Sequence, residues 1–114
     1  MKRMLHELSK KHCLPCEGGA EPLSSEKALE LLKQIPQWAL DPESKKISRT
    51  FVCKTFMDAV AFVTAVAAIA ESEDHHPMIK VDFKRVTLEL WTHAIGGLSE
   101  NDFIVAAKVD GLGS

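Results

Sequence analysis

The sequence predicts an α+β fold: a four-stranded antiparallel sheet with helices packed on one face, in the order α-β-β-α-β-β-α. Three observations carry that expectation. Helical apolar spacing recurs in three segments, with two pairs of strand-like segments between them. Within each pair the connection is too short for a parallel crossover, so the strands pair antiparallel. The last strand alternates apolar and polar residues, as a sheet with one covered face requires.

Residues 1–22 read as an irregular N-terminal arm, because "CLPCEGGAEPLSSE" carries two prolines and two glycines. Residues 23–114 read as a single domain. Ser24 or Ser25 caps a first helix in which Ala28, Leu29, Leu31, Leu32 and Ile35 recur at helical spacing, and Pro36 ends it. With Ser24 as the cap, Lys27 takes the N3 position, so the reciprocal half of a capping box is missing. "WALDPESKKISRTFVC" reads as a hairpin. Trp38 and Leu40 lead into the turn residues Asp41-Pro42-Glu43-Ser44, and Ile47, Phe51 and Val52 return.

A second helix runs from Thr55 to Ser72 with apolar residues on more than one face. Phe56, Val60, Val63 and Ala67 form one face, and Phe62, Val66 and Ile69 another. Such a helix is covered on more than one side, by the sheet and by a neighbouring helix or subunit. Pro77 terminates it. "MIKVDF" and "RVTLELWTH" are then strands joined tightly near Lys84, with Val86, Leu88 and Leu90 facing one way and Thr87, Glu89, Trp91 and His93 the other. Gly96 and Gly97 break the chain, and Ser99 caps a last helix. Asp102 falls at N3 of that helix, where a carboxylate suits the helix dipole.

Composition narrows the function. With 46% apolar and 26% charged residues among 114, the chain is an ordinary globular protein. A chain of this size buries roughly two thirds of its surface, so oligomerisation is a natural supplement. A formal net charge of −2 and a pI near 6.2 leave no electrostatic footprint for nucleic acid or an anionic membrane. The longest apolar run, Ala59 to Ala70 around Thr64, is too short and too alanine-rich to span a bilayer. "MKRMLHELSKKHCLPC" has no apolar core of signal-peptide length. A cytoplasmic protein is expected. Three cysteines, Cys13, Cys16 and Cys53, argue by their odd number against a disulfide framework. Cys13-Leu14-Pro15-Cys16 is a single CxxC. It reads as half a zinc knuckle with His6 or His12 as further ligands, as a redox pair lacking its usual context, or as part of a packed arm.

Five histidines remain to be placed. His6 and His12 lie in the arm and read as solvated. His75 and His76 stand at the helix-to-strand junction in "ESEDHHPMIK", and His93 ends the following hairpin. A hairpin folds its far end back beside its start, so His93 is expected next to the pair. Three readings stay open. The histidines can form a polar rim. They can ligate a metal, although adjacent histidines on a regular helix diverge by about 100° and rarely share one ion. They can serve acid–base chemistry, since imidazole gives and takes protons near neutral pH. Glu71 and Asp74 are candidates to fix tautomers, Glu73 reads as solvated, and Trp38 and Trp91 read as core or interface.

"FMDAVAFVTAVAAIAESEDHHP", "FKRVTLELWTH" and "GLSENDFIVAAKVD" together resemble the pterin-4a-carbinolamine dehydratase family. Glu71, His75, His76, Pro77, Phe83, His93 and Asp102 fill its pattern of acid, His-His-Pro, aromatic, second histidine and later aspartate. The spacing of Phe56, Ala59 and Phe62 also matches, as does Trp38, so that the likeness covers residues 24 to 110. The opening "HCLPCEGGAEPL" resembles those of bacterial members.

The resemblance implies the α+β fold above, assembled as a homodimer or homotetramer. It implies dehydration of 4a-hydroxytetrahydrobiopterin, or a related 4a-hydroxytetrahydropterin, to the quinonoid dihydropterin. That reaction recycles the cofactor of aromatic amino-acid hydroxylases such as phenylalanine hydroxylase, and it uses neither metal nor redox cofactor. By the same resemblance His75 and His93 exchange protons around C4a, and His76 binds the pterin and shares the acid–base work. Glu71 is placed to hydrogen-bond the pterin or orient a histidine, and Asp102 to orient His93 or the adjoining helix start. Phe83 stands where the family often has tyrosine, and Met78 and Ile79 also depart from the pattern, which bears on substrate preference. Two other roles on this fold are a non-catalytic binding, dimerisation or assembly module, and a step near molybdopterin.

Overall fold

Each helix begins where a side-chain oxygen can accept an otherwise orphaned amide. The computed structural model describes residues 8–14 and 21–112. The Ser24 hydroxyl accepts the Lys27 amide at 3.1 Å and opens α1 (Ser25–Leu32). Thr55 does the same for Asp58 at 3.0 Å and opens α2 (Phe56–Glu73). Asp102 reaches back to the Ser99 amide at 3.0 Å and opens α3 (Glu100–Asp110). Between them lie β1 (Ala39–Leu40), β2 (Ile47–Val52), β3 (Met78–Asp82), β4 (Arg85–Leu90) and a 3-10 turn over His93–Ile95.

The strands form one sheet in the order β1-β2-β4-β3, antiparallel at every pairing. Register places Phe51 opposite Val86 and Ile47 opposite Leu90. These residues and Leu88 are buried on one face, where Phe51 meets Phe62 of α2 with ring centroids 4.7 Å apart. Each such side chain contributes about 1.5–3 kcal/mol relative to exposure. The other face carries polar pairs such as Thr50 and Thr87, whose exposed hydroxyls lie 2.8 Å apart. The expected α+β architecture, with helices against one face of the sheet, is the observed one.

Three details differ from the sequence reading. Strand β1 is only two residues long, and Trp38 precedes it as a buried core residue whose Nε1–H donates to Asp110 at 2.9 Å. Helix α2 ends before Pro77, at Asp74, which takes a left-handed conformation with φ 52°. Residues 8–10 are helical, and Leu8 is buried in the hydrophobic core. On α2, Ala59, Val66, Ala70 and Glu73 form the buried stripe, while Phe56, Met57 and Val60 remain exposed. The face expected to need a second partner is thus uncovered within the described chain.

Candidate active site

Antiparallel pairing of β3 with β4 sets Met78 opposite Glu89, so the residues before β3 and after β4 share one end of the sheet. A cavity of about 460 Å³ opens there, lined by residues 73–76 from the end of α2, 91–94 after β4, Cys13, Leu14 and Asn101. His75, His76 and His93 all line it. Its volume suits a small ligand. Two other concavities are as large, about 450 and 460 Å³, but neither brings the three histidines together. Chemistry of the lining, not size, singles this one out.

Past Asp74 the helix has ended, and the two adjacent histidines turn opposite ways. His75 turns inward, with its side chain 13% exposed and its Nε2 2.6 Å from Oδ1 of fully buried Asp102. Asp102 also accepts the Thr92 hydroxyl at 2.9 Å and the Ser99 amide at 3.0 Å. Thr92 has one proton and gives it to Asp102, so in its 2.8 Å contact with the Ser99 hydroxyl it is the acceptor. A carboxylate only accepts, so Nε2 of His75 carries hydrogen, and in the neutral ring Nδ1 is left as the acceptor. His76 turns outward, its Nε2 donating to Glu71 Oε2 at 2.6 Å, with side chains 53% and 78% exposed. Exposed His93 packs its ring on Trp91 with centroids 4.5 Å apart, and Lys46 Nζ lies 4.4 Å from the Trp91 ring centre. Among the described residues no carboxylate holds His93.

Several expectations need correction. Asp102 does reach its own helix start, one of the two places expected, but the histidine it holds is His75 and not His93. Trp91, expected in core or interface, lines the cavity. Phe83 does not. It sits at the tip of the β3–β4 hairpin, 65% exposed with φ 54°, and six residues of β4 put it roughly 20 Å from the cavity end.

Glu73, expected to be solvated, is buried with its side chain 3% exposed. It accepts the Cys13 amide at 2.7 Å and the His12 Nδ1–H at 2.9 Å, and Lys108 Nζ lies 3.5 Å away. Burial alone pushes this carboxyl upward most. The Cys13 amide, the His12 ring and the Lys108 ammonium together outweigh it and hold Glu73 below its ordinary value. The signal was present in the sequence: Glu73 lies three residues past Ala70 and seven past Val66, on the buried stripe. His12 is exposed but bonded rather than free. Burial first, and then the Glu73 charge, push the Cys13 thiol up to about 12, so it stays protonated and is a poor nucleophile at neutral pH. Cys16 and His6, the other members of the supposed metal or redox set, lie outside the described residues. Asn101 was missed, since an asparagine in the first turn of a helix reads as solvent-facing. Here it clamps the main chain of Leu14, accepting its amide at 3.0 Å and donating to its carbonyl at 2.6 Å.

The arrangement supplies a fixed ring that can accept a proton with a buried carboxylate behind it, a second ring at the rim, and a third tilted against an indole. A buried carboxylate stabilises the imidazolium as it forms, which suits a general base.

Comparison with known proteins finds relatives over nearly the whole chain. The family model described as pterin 4 alpha carbinolamine dehydratase matches residues 21–112. A provisionally named pterin-4-alpha-carbinolamine dehydratase of Halorhodospira halophila is 46% identical over 107 residues, covering 94% of this chain and 98% of the relative. One of Nitrosomonas eutropha, also provisionally named, is 52% identical, covering 93% of each chain. Among solved structures, a transcriptional coactivator/pterin dehydratase from Brucella melitensis superposes with a TM-score of 0.77 at 30% identity, covering 82% of this chain and all of that one. A pterin dehydratase-like protein identified as a RuBisCO assembly factor in the alpha-carboxysome gives 0.60 at 28% identity, covering 68% of this chain and 92% of that one.

Proposed function

The chain belongs to the pterin 4 alpha carbinolamine dehydratase family, and on that premise we propose that it dehydrates a 4a-hydroxytetrahydropterin to the quinonoid dihydropterin. The observation that carries this reading is His75 held by buried Asp102 in a cavity shared with His76 and His93. The C4a–O bond breaks and the hydroxyl leaves as water after receiving one proton. A pterin nitrogen loses one proton, and its electron pair closes the new C=N bond. No electrons are exchanged with another molecule, so the step balances with proton transfer alone. His75, backed by Asp102, takes the nitrogen proton. Exposed His93 supplies the proton to the departing oxygen, and His76, steadied by Glu71, holds the pterin. Exchange with water resets both rings.

The exposed apolar residues of α2, Phe56, Met57 and Val60, support assembly as a homodimer or homotetramer. No helix among the described residues is long and apolar enough to cross a membrane. Recycling of the pterin used by an aromatic amino-acid hydroxylase in the cytoplasm is the role we assign. The same uncovered α2 face favours a second reading, an assembly module like the RuBisCO assembly factor that shares the fold.

The test is to mix the protein with enzymatically generated 4a-hydroxytetrahydropterin and follow loss of the intermediate's absorbance. Wild type is expected to accelerate it, and His75→Ala and His93→Ala to lose about 10²- to 10⁴-fold of that acceleration. No acceleration by wild type would overturn the proposal in favour of the assembly role, and full acceleration by both variants would overturn the roles given to the histidines.

A further inference from the structure

Cys13 and Leu14 line the cavity without taking part in the proton transfers, and both come from the segment ahead of the sheet domain. That segment is strapped down at several points. Leu8 is buried in the core, and Lys108 Nζ donates to the Ser9 carbonyl at 2.7 Å. Glu73 takes the Cys13 amide, and the Cys13 thiol lies 3.6 Å from the Asn101 carbonyl. Asn101 then grips both polar groups of Leu14, its amide at 3.0 Å and its carbonyl at 2.6 Å.

Asn101 and Glu73 are 7% and 8% exposed. Burying polar groups is unfavourable unless every bond is made, and here the bonds are made to the main chain of the strap. The result is an unusual combination. The Leu14 backbone is fixed at both its amide and its carbonyl, while its side chain is 73% exposed on the cavity wall. A large apolar side chain held out on the cavity wall gains most when a flat apolar surface covers it.

We propose that Leu14 is a substrate-binding residue of this site, packing on the ring system of the bound heterocycle, and that Asn101 and Glu73 are positioning residues that hold it there. This rests on the pterin reading above. Asn101 adjoins Asp102, so the first turn of α3 serves two purposes: one residue orients His75 and the next sets the wall facing the ligand. Leu14 touches the ligand in ground state and transition state alike, so its loss acts on KM and leaves the chemical step alone.

The experiment is equilibrium dialysis with 7,8-dihydrobiopterin, which lacks the 4a-hydroxyl and does not react, on full-length wild type, Leu14→Ala, Asn101→Ala and the double variant. Leu14 is exposed, so its substitution leaves folding intact, and circular dichroism checks Asn101→Ala. Leu14→Ala is expected to bind about tenfold more weakly and to raise KM by the same factor with kcat kept within about threefold. The double variant is expected to bind no more weakly than Asn101→Ala, because a released Leu14 has nothing left to lose. If wild type binds and Leu14→Ala binds as tightly, the proposal fails and the dehydratase reading stands. If Leu14→Ala weakens binding but the two losses simply add, Leu14 keeps its role and the positioning role of Asn101 is overturned. If wild type does not bind the pterin, the functional reading itself fails.

Discussion

Two histidine–carboxylate pairs flank the cavity at the same 2.6 Å distance, His75 with Asp102 and His76 with Glu71. They differ in burial. The first pair is 13% and 0% exposed, the second 53% and 78%. An exposed pair is worth about 0–1 kcal/mol, because water screens the charges and two mobile side chains must be held. Breaking a buried pair costs about 3–5 kcal/mol, since the remaining partner is stranded without solvent. Thr92 and Ser99 also hold Asp102, so His75 is fixed in tautomer and direction, whereas His76 can turn to suit what it binds. Distance alone says nothing of this; burial is what separates a ring fixed in place from one free to turn.

Asp102→Asn is the hardest blow to that contrast. The amide keeps the shape but presents donors to groups that are themselves donors. A loss of about 10²- to 10⁴-fold in kcat is expected, with a lower Tm. A variant within threefold of wild type in stopped-flow assays would erase the distinction between the pairs.

Next in size is the acid response of Glu73, a buried carboxylate two residues from exposed Glu71. Its folded value is depressed, so the hold on the strap is complete above the ordinary value of about 4.5 and drains away as pH falls through the lower folded value. His12, Cys13 and Lys108 are the ionisable groups that face it. The NMR shift of the Cys13 amide proton reports this directly, with an inflection expected below about 4.5; one at or above it would contradict the assignment.

Glu71→Gln tests the other pair. A glutamine still accepts from His76, so kcat is expected to stay within about threefold and stability within about 0.5 kcal/mol by urea denaturation. Smallest of all, Phe83→Asn removes a bulky residue from a left-handed turn and is expected to raise stability by up to about 1 kcal/mol with unchanged kinetics. A fall in kcat there would show that the hairpin tip reaches the chemistry after all.

The sheet was legible because its signals are local. Val86, Leu88 and Leu90 alternate on one strand and are all buried, and the hairpin rule that placed His93 near the pair holds because it needs only chain continuity. That rule, followed further, also sends Phe83 to the opposite end, which matching residues to a family pattern could not reveal. Glu71 and Glu73 looked alike as charges at a helix end. Two residues on a helix are about 200° apart, and only the stripe continued from Val66 and Ala70 tells them apart. The partner of Asp102 depended on which side of α3 faces the cavity. The grip of Asn101 on Leu14 joins residues 87 apart in sequence. No local periodicity encodes either one.

Asp110 closes α3 by accepting from Trp38 Nε1 at 2.9 Å and from Arg49 Nη1 at 2.7 Å. The helix is therefore pinned to the sheet at its far end while its near end carries Asn101 and Asp102. Eight residues of helix make a stiff lever of roughly 12 Å. One helix thus joins the Arg49 contact at one end to the Asp102–His75 contact at the other, so where the cavity carboxylate sits is set in part by a salt bridge outside the cavity.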